Sequence, residues 1–468
     1  MKRFSAAMKL HSLYVLPAMI VNMLILEDGL SGTDAMSLQT FSGQPLNAAF
    51  GQSVAIAGDV NGDGYGDLVI GALYNGEGRV YLFFGGAPVD TIPDVILNYR
   101  MSNDRFGACV AGAGDMNNDG YADVIVGARI SGPTGLDSGH VYIFFGGALM
   151  DSVPDVIMAG LPRENFGGSV AGAGDVNGDG YADVIVGANG SDAAGLDVGR
   201  AYIFFGGATV DNIPDVIITG TVITENLGYS VASAGDVNND GYDDVIVGAY
   251  ANDLAGGNNS GKAYLYLGGS PMNNVVDVTF NGSAAFDYFG VCVAGAGDVN
   301  NDGYDDVLIS STENSNRGRT SLFLGGASMN NIADVTFFGQ ASNNNFGRAA
   351  AAAGDLNQDG YADVIIGAYA NSQVGAFAGK TYVYCGGASM DTIPDLTFLG
   401  EAAYDYFGVS VAGSGDVNGD GFGDVIVGSN NGGVTDKGRA YLYFSTDGPL
   451  PIQLASFTAT LTGQRQVR

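Results

Sequence analysis

Short apolar runs separated by polar, glycine-rich segments recur along most of the chain, and they have strand rather than helix character. In the stretch beginning at Phe166, four such runs follow one another, at 168–172, 183–186, 200–205 and 215–218. They are short, rich in Val, Ile, Tyr and Phe, and bounded by Gly, Asn, Asp or Pro, as strands between turns are. The intervening turns are a nine-residue Asp/Asn/Gly loop, a polar Gly/Ser/Asp segment, and a Gly-Gly-Ala-x-x-Asp-x-x-Pro-Asp stretch. This arrangement returns seven times, with the nine-residue loop starting at Asp59, Asp115, Asp175, Asp236, Asp298, Asp355 and Asp416. The spacings of 56, 60, 61, 62, 57 and 61 residues suit a propeller or solenoid unit. Four antiparallel strands per unit make one propeller blade, and seven falls within the usual range of about 4–8 blades. The pattern therefore predicts an all-β fold, a seven-bladed β-propeller of four-stranded blades. A β-solenoid, with shorter rungs, and a row of separate sandwich domains, which needs linkers, fit less well.

The ends of the repeat predict how the ring closes. The seventh unit stops at 441–444 without a fourth strand of its own, and an orphan segment at 38–43 precedes the first unit. That segment parallels 334–339, a fourth strand, so it is expected to complete the last blade. A closed ring limits exposed sheet edges. The propeller is placed at 36–446. Ahead of it, residues 1–30 read as a leader: Lys2, Arg3 and Lys9 precede an apolar stretch at 13–26, which resembles a secretory signal peptide. Pro17 and Asn22 interrupt that stretch, and it is too short to span a membrane, so no transmembrane span is expected in the mature chain. The tail, 447–468, leaves the repeat at Pro449-Leu450-Pro451. It either opens an immunoglobulin-like or sorting segment or is a plain terminal strand or disordered end.

The chemistry lies in the nine-residue loop, which reads Asp-x-Asn-x-Asp-Gly-(Tyr/Phe)-x-Asp in every copy. Side-chain oxygens come from Asp59, Asn61, Asp63 and Asp67; Asp115, Asn117, Asp119 and Asp123; Asp175, Asn177, Asp179 and Asp183; and Asp236, Asn238, Asp240 and Asp244. The last three copies supply Asp298, Asn300, Asp302 and Asp306; Asp355, Asn357, Asp359 and Asp363; and Asp416, Asn418, Asp420 and Asp424. Position 7, at Tyr65, Tyr121, Tyr181, Tyr242, Tyr304, Tyr361 and Phe422, adds a backbone carbonyl. Odd spacing turns alternate groups into one hollow, and the glycine at position 6 permits the turn around it. A flexible all-oxygen cage suits Ca2+ better than Mg2+, which demands a near-ideal octahedron, and it lacks the Cys or His of soft-metal sites. Up to seven Ca2+ ions are expected, one per blade. An EF-hand is excluded, because position 12 is Ile70 or Val126 where that loop needs Glu, and the flanks are strands. The alternative for any single copy is a metal-free Asx-type turn; the recurring carboxylate at position 9 favours the metal.

Charge narrows the partners. The 468 residues carry a formal net charge of −32, with only 18 Lys and Arg. A basic stripe for nucleic acid is missing, and an anionic membrane surface is disfavoured. Three Asp per loop supply 21 of the 50 acidic residues, and seven calcium ions would bring −32 to −18, so metal loss leaves a self-repelling fold. The odd cysteine count, with Cys109 and Cys292 at one position of non-adjacent units, argues against disulfides; these two and Cys385 are read as small buried hydrophobes.

Few residues invite a catalytic reading. His140 stands where other units place Arg79, Arg200, Lys262, Arg319, Lys380 and Arg439, and reads as a basic residue opening the third strand beside an acid. His11 lies in the leader, so a Ser-His-Asp triad is hard to build. A two-carboxylate glycosidase would have to draw on Glu164, Glu225, Glu313 or Glu401, and nothing marks a pair among them. The chain is expected not to be an enzyme. The loops between second and third strands vary most (131–138, 191–198, 252–260, 372–378), and the fourth-to-first loops carry Tyr99, Phe286, Tyr288, Tyr404 and Tyr406. Variable loops on a rigid scaffold are where binding usually resides, although some of these aromatics could equally fill gaps between blades.

Phe-Gly pairs precede the loops at 50, 106, 166, 289, 346 and 407, and Gly-Ala pairs follow them at 71, 127, 187, 248 and 367. With the Asp-rich loop between them, these pairs resemble the FG-GAP repeat of the integrin α-subunit head and its bacterial relatives, over residues 37–444. The resemblance implies a calcium loop between strands 1 and 2 on one face and ligand on the other. It also implies a secreted or cell-surface adhesion or ligand-binding module, expected here to be a monomer. A protein or glycan ligand is expected on the face opposite the calcium loops, with a carbohydrate-active propeller or a structural spacer as the alternatives. Leu227-Gly228 and Ser310-Ser311 depart from the motif. Asn at position 3 removes one charge per site, which lowers the expected calcium affinity.

Overall fold

The structure, a computed structural model, describes residues 36–43, 49–73, 78–98, 105–130, 137–253, 257–312, 317–431 and 437–445. The described residues form seven four-stranded antiparallel sheets and no helix. Blade three shows the plan, with Ser169–Gly174, Asp183–Ala188, Arg200–Phe204 and Val216–Thr219 paired in that order. Because the strands alternate in direction, the Asp-rich loops and the third-to-fourth turns share one end of the ring. The second-to-third and fourth-to-first loops share the other, called the upper face below.

The second strand is buried along its whole length in every blade. Both its faces are covered by neighbouring blades, so it reads as an unbroken Val/Ile run instead of alternating. The cores accordingly lie between blades. One joins Val80 and Phe106 to Val124 and Tyr142, across blades one and two. Another joins Leu68, Ile70 and Phe83 of blade one to Val417, Ile426 and Leu442 of blade seven, which closes the ring.

The Phe-Gly and Gly-Ala pairs acquire physical roles here. Phe106 meets Tyr142 and Phe144 edge-on, with centroids 5.4 and 6.3 Å away. Such edge-to-face pairs favour one fixed packing, and Phe50, Phe166 and Phe407 repeat it. Leu227 keeps the apolar contact in blade four without the ring geometry. Gly71 lets blades one and two touch, since a Cβ there would stand 2.2 Å from the Gly107 carbonyl oxygen. Gly107 itself has φ +80°, a left-handed value glycine adopts without strain. In blade five Ser310 replaces that first glycine, and its hydroxyl lies 2.9 Å from Thr320 Oγ1.

The orphan N-terminal strand closes the last blade as expected. Met36–Ser42 pairs antiparallel with the last described strand, Met36 opposite Ser445 and Ser42 opposite Arg439. Its Phe41 is fully buried and lies edge-on to Phe83 of blade one, at 4.7 Å. The leader and the tail lie outside the described residues, as do Tyr99 and Glu313. Among the described residues no helix is long and apolar enough to cross a membrane.

All three cysteines are unpaired, but the expectation that they are buried hydrophobes needs correction. Each is half-buried, and Cys109 Sγ accepts the Val170 amide of the next blade at 3.4 Å. Ser53 and Ser169 do the same for Val110 and Val231. Four of the seven blades place a small acceptor at this position, and in blade two the thiol serves.

Candidate functional site

Each Asp-rich loop is wound around its own carboxylates. In the first, Asp59 Oδ1 accepts the amides of Gly62 and Asp63, at 2.7 and 3.0 Å, and Asp59 Oδ2 accepts that of Gly64 at 2.8 Å. Asn61 Oδ1 takes the Asp63 amide and Asp63 Oδ1 takes that of Tyr65. Positive φ at position 4 (Gly62, +79°) and position 6 (Gly64, +91°) aims these amides inward. Elsewhere position 4 is Gly178 or Gly419, Asn118, Asn239 or Asn301, or Gln358, all at positive φ, which Gly adopts freely and Asn tolerates better than most residues.

Position 9 is different in kind. Asp67 is fully buried, and its two oxygens accept the amides of Val60 and Gly85, each at 2.8 Å. The same arrangement recurs at Asp123, Asp183, Asp244, Asp306 and Asp363. Asp424 keeps the amide of Val417, while its Oδ1 is buried without a hydrogen-bond partner among the described residues. Burial pushes the Asp67 carboxyl up to about 7, its two amide bonds offset part of that, and the Asp63 and Asp59 charges add to it. The same causes raise Asp424 to about 8.

Among the described residues no group of three Asp, Glu, His or Cys stands in a metal-holding arrangement; in the first loop Asn61 directs its Nδ2 at Asp63 Oδ2, 2.8 Å away. The donor set nonetheless fits a hard divalent ion. Every candidate donor is oxygen, carboxylate oxygens have lone pairs beyond those facing amides, and a buried carboxylate crowded by two others is what a divalent cation relieves.

The loops also tie the blades together, a role sequence reading missed. In six of the seven loops the position-8 amide donates to the position-1 carbonyl of the preceding loop, as from Ala122 to Asp59 at 2.9 Å and from Gly66 to Asp416 at 2.8 Å. The second glycine of each Gly-Gly pair donates to the preceding position-2 carbonyl, as from Gly147 to Val60 at 2.8 Å. Asp243 and Asp305, at position 8, additionally accept the amides of Asp175 and Asp236. The position-7 aromatic offers more than its carbonyl: the Tyr121 ring covers Gly62 of the preceding loop so closely that a Cβ there would lie 2.5 Å from it. The aromatic at position 7 in all seven copies was the available signal.

Two substitutions separate metal ligation from backbone bonding. Asp63 is exposed, so Asp63→Ala should destabilise in calcium and have little effect in chelator. Asp67→Ala should destabilise in both, because it orphans two amides at about 1–3 kcal/mol each. Urea melts of both variants, with calcium and with EGTA, check this; equal losses in EGTA would remove the distinction.

On the upper face, the glutamates considered as catalytic acids hold loops in place. Glu164 is buried and accepts Ser191 Oγ and Tyr202 Oη at 2.8 and 2.9 Å. Glu225 accepts Asn252 Nδ2 at 2.6 Å, Tyr264 Oη at 3.1 Å and two backbone amides. Glu401 pairs with Arg439. The expected basic–acid pair at the start of the third strand occurs at Arg200, Arg319 and Arg439. Lys380 bonds the Gln340 and Gln373 amide oxygens, and His140 stacks on Tyr142 at 6.1 Å. Of the aromatics, Phe286 and Tyr404 are exposed, while Tyr288 and Tyr406 are half-buried.

Comparison with known proteins matches the FG-GAP repeat to residues 50–83, 106–144, 166–204, 227–266, 346–384 and 407–443, which are blades one to four, six and seven. Integrin alpha-5 of Xenopus laevis is 37% identical over 190 residues, covering 37% of this chain and 18% of the relative. Integrin alpha-IIb of Mus musculus is 39% identical over 169 residues, covering 33% and 16%. Integrin alpha-PS2 of Drosophila melanogaster is 37% identical over 174 residues, covering 32% and 12%. The chain thus spans less than a fifth of the length of the curated relatives it matches.

Proposed function

From the premise that this chain carries FG-GAP repeats and resembles the N-terminal propeller of the integrin α-subunits, we propose that it is a calcium-stabilised, non-enzymatic adhesion or ligand-binding module. It acts outside the cell, secreted or at the cell surface, as a monomer. Asp59, Asn61, Asp63, Asp67 and the Tyr65 carbonyl would hold one Ca2+ in the first blade, and their counterparts would hold one in each of the others. The ion supplies positive charge that lets three crowded carboxylates stay ionised. The protein's own part is to aim the oxygens through the amides of positions 4 to 6 and to pass the order of one loop to the next.

The observation that carries this reading is the difference between the two ends of the ring. One end repeats a single loop seven times, with the loops linked from blade to blade. The other varies in length and side chain from unit to unit. A stiff, self-linked end supporting a variable one is the layout of a binding scaffold. The test is a binding screen of the full chain against arrayed extracellular proteins and polysaccharides, in calcium and in EGTA, beside a glycosidase panel. Saturable binding that needs calcium, without turnover, is expected. Hydrolysis of any polysaccharide, or no binding under either condition, would overturn the reading.

A further inference from the structure

Blade five departs from its neighbours where it reaches the upper mouth of the ring. The residue after Phe-Gly or Leu-Gly is Tyr229 in blade four and Arg348 in blade six, but Val291 in blade five. The residue after Gly-Ala is Tyr250 and Tyr369 in those neighbours; after Ser310-Ser311 of blade five it is Thr312. Two small side chains between large ones leave a hollow of about 490 Å3 over blade five, which all six of these residues line. Its volume falls in the range of small-molecule sites, about 300–1,000 Å3. Blade five is also the blade outside the matched FG-GAP segments.

One wall of the hollow is aromatic. Tyr229 and Tyr250 have centroids 4.3 Å apart, and Tyr288 stands 6.0 Å from Tyr250. Tyr288 holds its place at φ +52°, a left-handed value that costs a bulky residue about 1–2 kcal/mol. Blades four and six have Asn226 and Asn345 at the equivalent position.

Arg348 gives the hollow its charge. It reaches over Val291 from blade six to blade four, where its Cζ lies 5.9 Å from the Tyr229 centroid and its Nη2 donates to Tyr229 Oη at 3.4 Å. Among the described residues it forms no ion pair, in a chain with 50 acidic side chains. A half-buried guanidinium resting on a ring and lacking a carboxylate presents its remaining donors to whatever enters, in the fork geometry that matches carboxylate. Asn259 and Asn345 add amides at the rim, and Asn345 is already oriented by its bond to Tyr369 Oη at 2.8 Å.

We infer that this hollow binds a uronic acid residue of a polysaccharide. A pyranose ring offers an apolar C–H face to the tyrosines, hydroxyls to the rim amides and Thr312, and a carboxylate to Arg348. The wall of three tyrosine rings, against which the C–H face of a pyranose can lie flat, favours a sugar ring over an extended peptide. This inference rests on the proposed binding role of the upper face and names its ligand class.

The experiment is calorimetric titration of the full chain in calcium with C6-oxidised cellotetraose, a tetraglucuronate, and with unoxidised cellotetraose. The tetraglucuronate should bind one to one and the neutral sugar at least tenfold more weakly. Arg348→Gln should lower affinity about ten- to a hundredfold, the effect of a lost charged hydrogen bond, with an unchanged melting temperature. Arg348→Lys, which keeps the charge but not the fork, should fall between and guards against misfolding of the Gln variant. No binding of tetraglucuronate, equal binding of both sugars, or preferential binding of tetraglutamate, the acidic-peptide control, would each overturn the inference. If tetraglucuronate fails while the array screen still finds a calcium-dependent ligand, only this inference falls. If the array is silent as well, the binding role falls with it.

Discussion

Adding EGTA should lower the thermal midpoint of this protein by on the order of 20 °C, and calcium, but not magnesium, should restore it. A site held about a hundredfold above its dissociation constant contributes about 2.7 kcal/mol, so seven contribute about 19 kcal/mol. Unfolding entropy of about 2.1 cal/mol/K per residue, over about 400 residues, converts that to roughly 20 °C. The loss should spread around the ring, because six of the seven loops donate to the one before and repeat units stabilise one another through their interfaces. Acid should partly replace the metal. The position-9 carboxyls are raised from 3.8 to about 7, so the metal-free folded state binds more protons than the unfolded chain between those values. Its stability is then greatest below pH 4 as far as these groups are concerned, and falls as pH rises through 7. In EGTA the midpoint should be higher at pH 5 than at pH 8, and calcium should shrink or reverse the difference. Scanning calorimetry at both pH values reads all of this, and a melt that ignores EGTA would remove the calcium proposal.

Deleting residues 1–43 should cost more than any single substitution. The loss includes the Phe41 ring, which is fully buried against Phe83 and by itself is worth about 3–5 kcal/mol. It also includes the outer pairing partner of Arg439–Ser445, which keeps only its inner neighbour Asp424–Ser429. The exposed edge becomes a template for intermolecular pairing, so the truncated chain should aggregate or melt in a broad, low transition. Phe41→Ala should give a milder version, with the strand still paired. Size-exclusion chromatography and the width of the melting transition check both. A monomeric truncation with an unchanged, sharp melt would show that the ring does not depend on its N-terminal strand.

Much of the fold was legible because it is repeated. A single Asp-x-Asn-x-Asp-Gly loop is compatible with an ordinary turn, but seven at nearly constant spacing define units. The four runs in each unit specify a blade, and the missing fourth strand of the last unit points to the orphan strand at the other end. The acidic loops were visible for the same reason, since every candidate oxygen belongs to a local nine-residue segment. The glutamates illustrate what was not legible. Glu164 and Glu225 look like free acids along the chain, but each is met by partners 27 to 39 residues away. The tyrosines singled out in the sequence include Tyr288, but not Tyr229, Tyr250 or Tyr369, although all of these share the hollow around Arg348.

The sequence by itself determined the strands, their grouping into seven blades, the closing segment and the loops that carry the acidic oxygens. All of these follow from local spacing, and local spacing is what a repeated chain states most clearly. Only the tertiary structure decided that the cores lie between blades, that neighbouring loops donate to one another, and that Arg348 reaches across blade five to Tyr229. Most of those contacts join residues about 60 to 120 positions apart, and the ring-closing bond from Gly66 to Asp416 joins residues 350 apart; the curvature of the closed ring, which no single repeat encodes, brings them together.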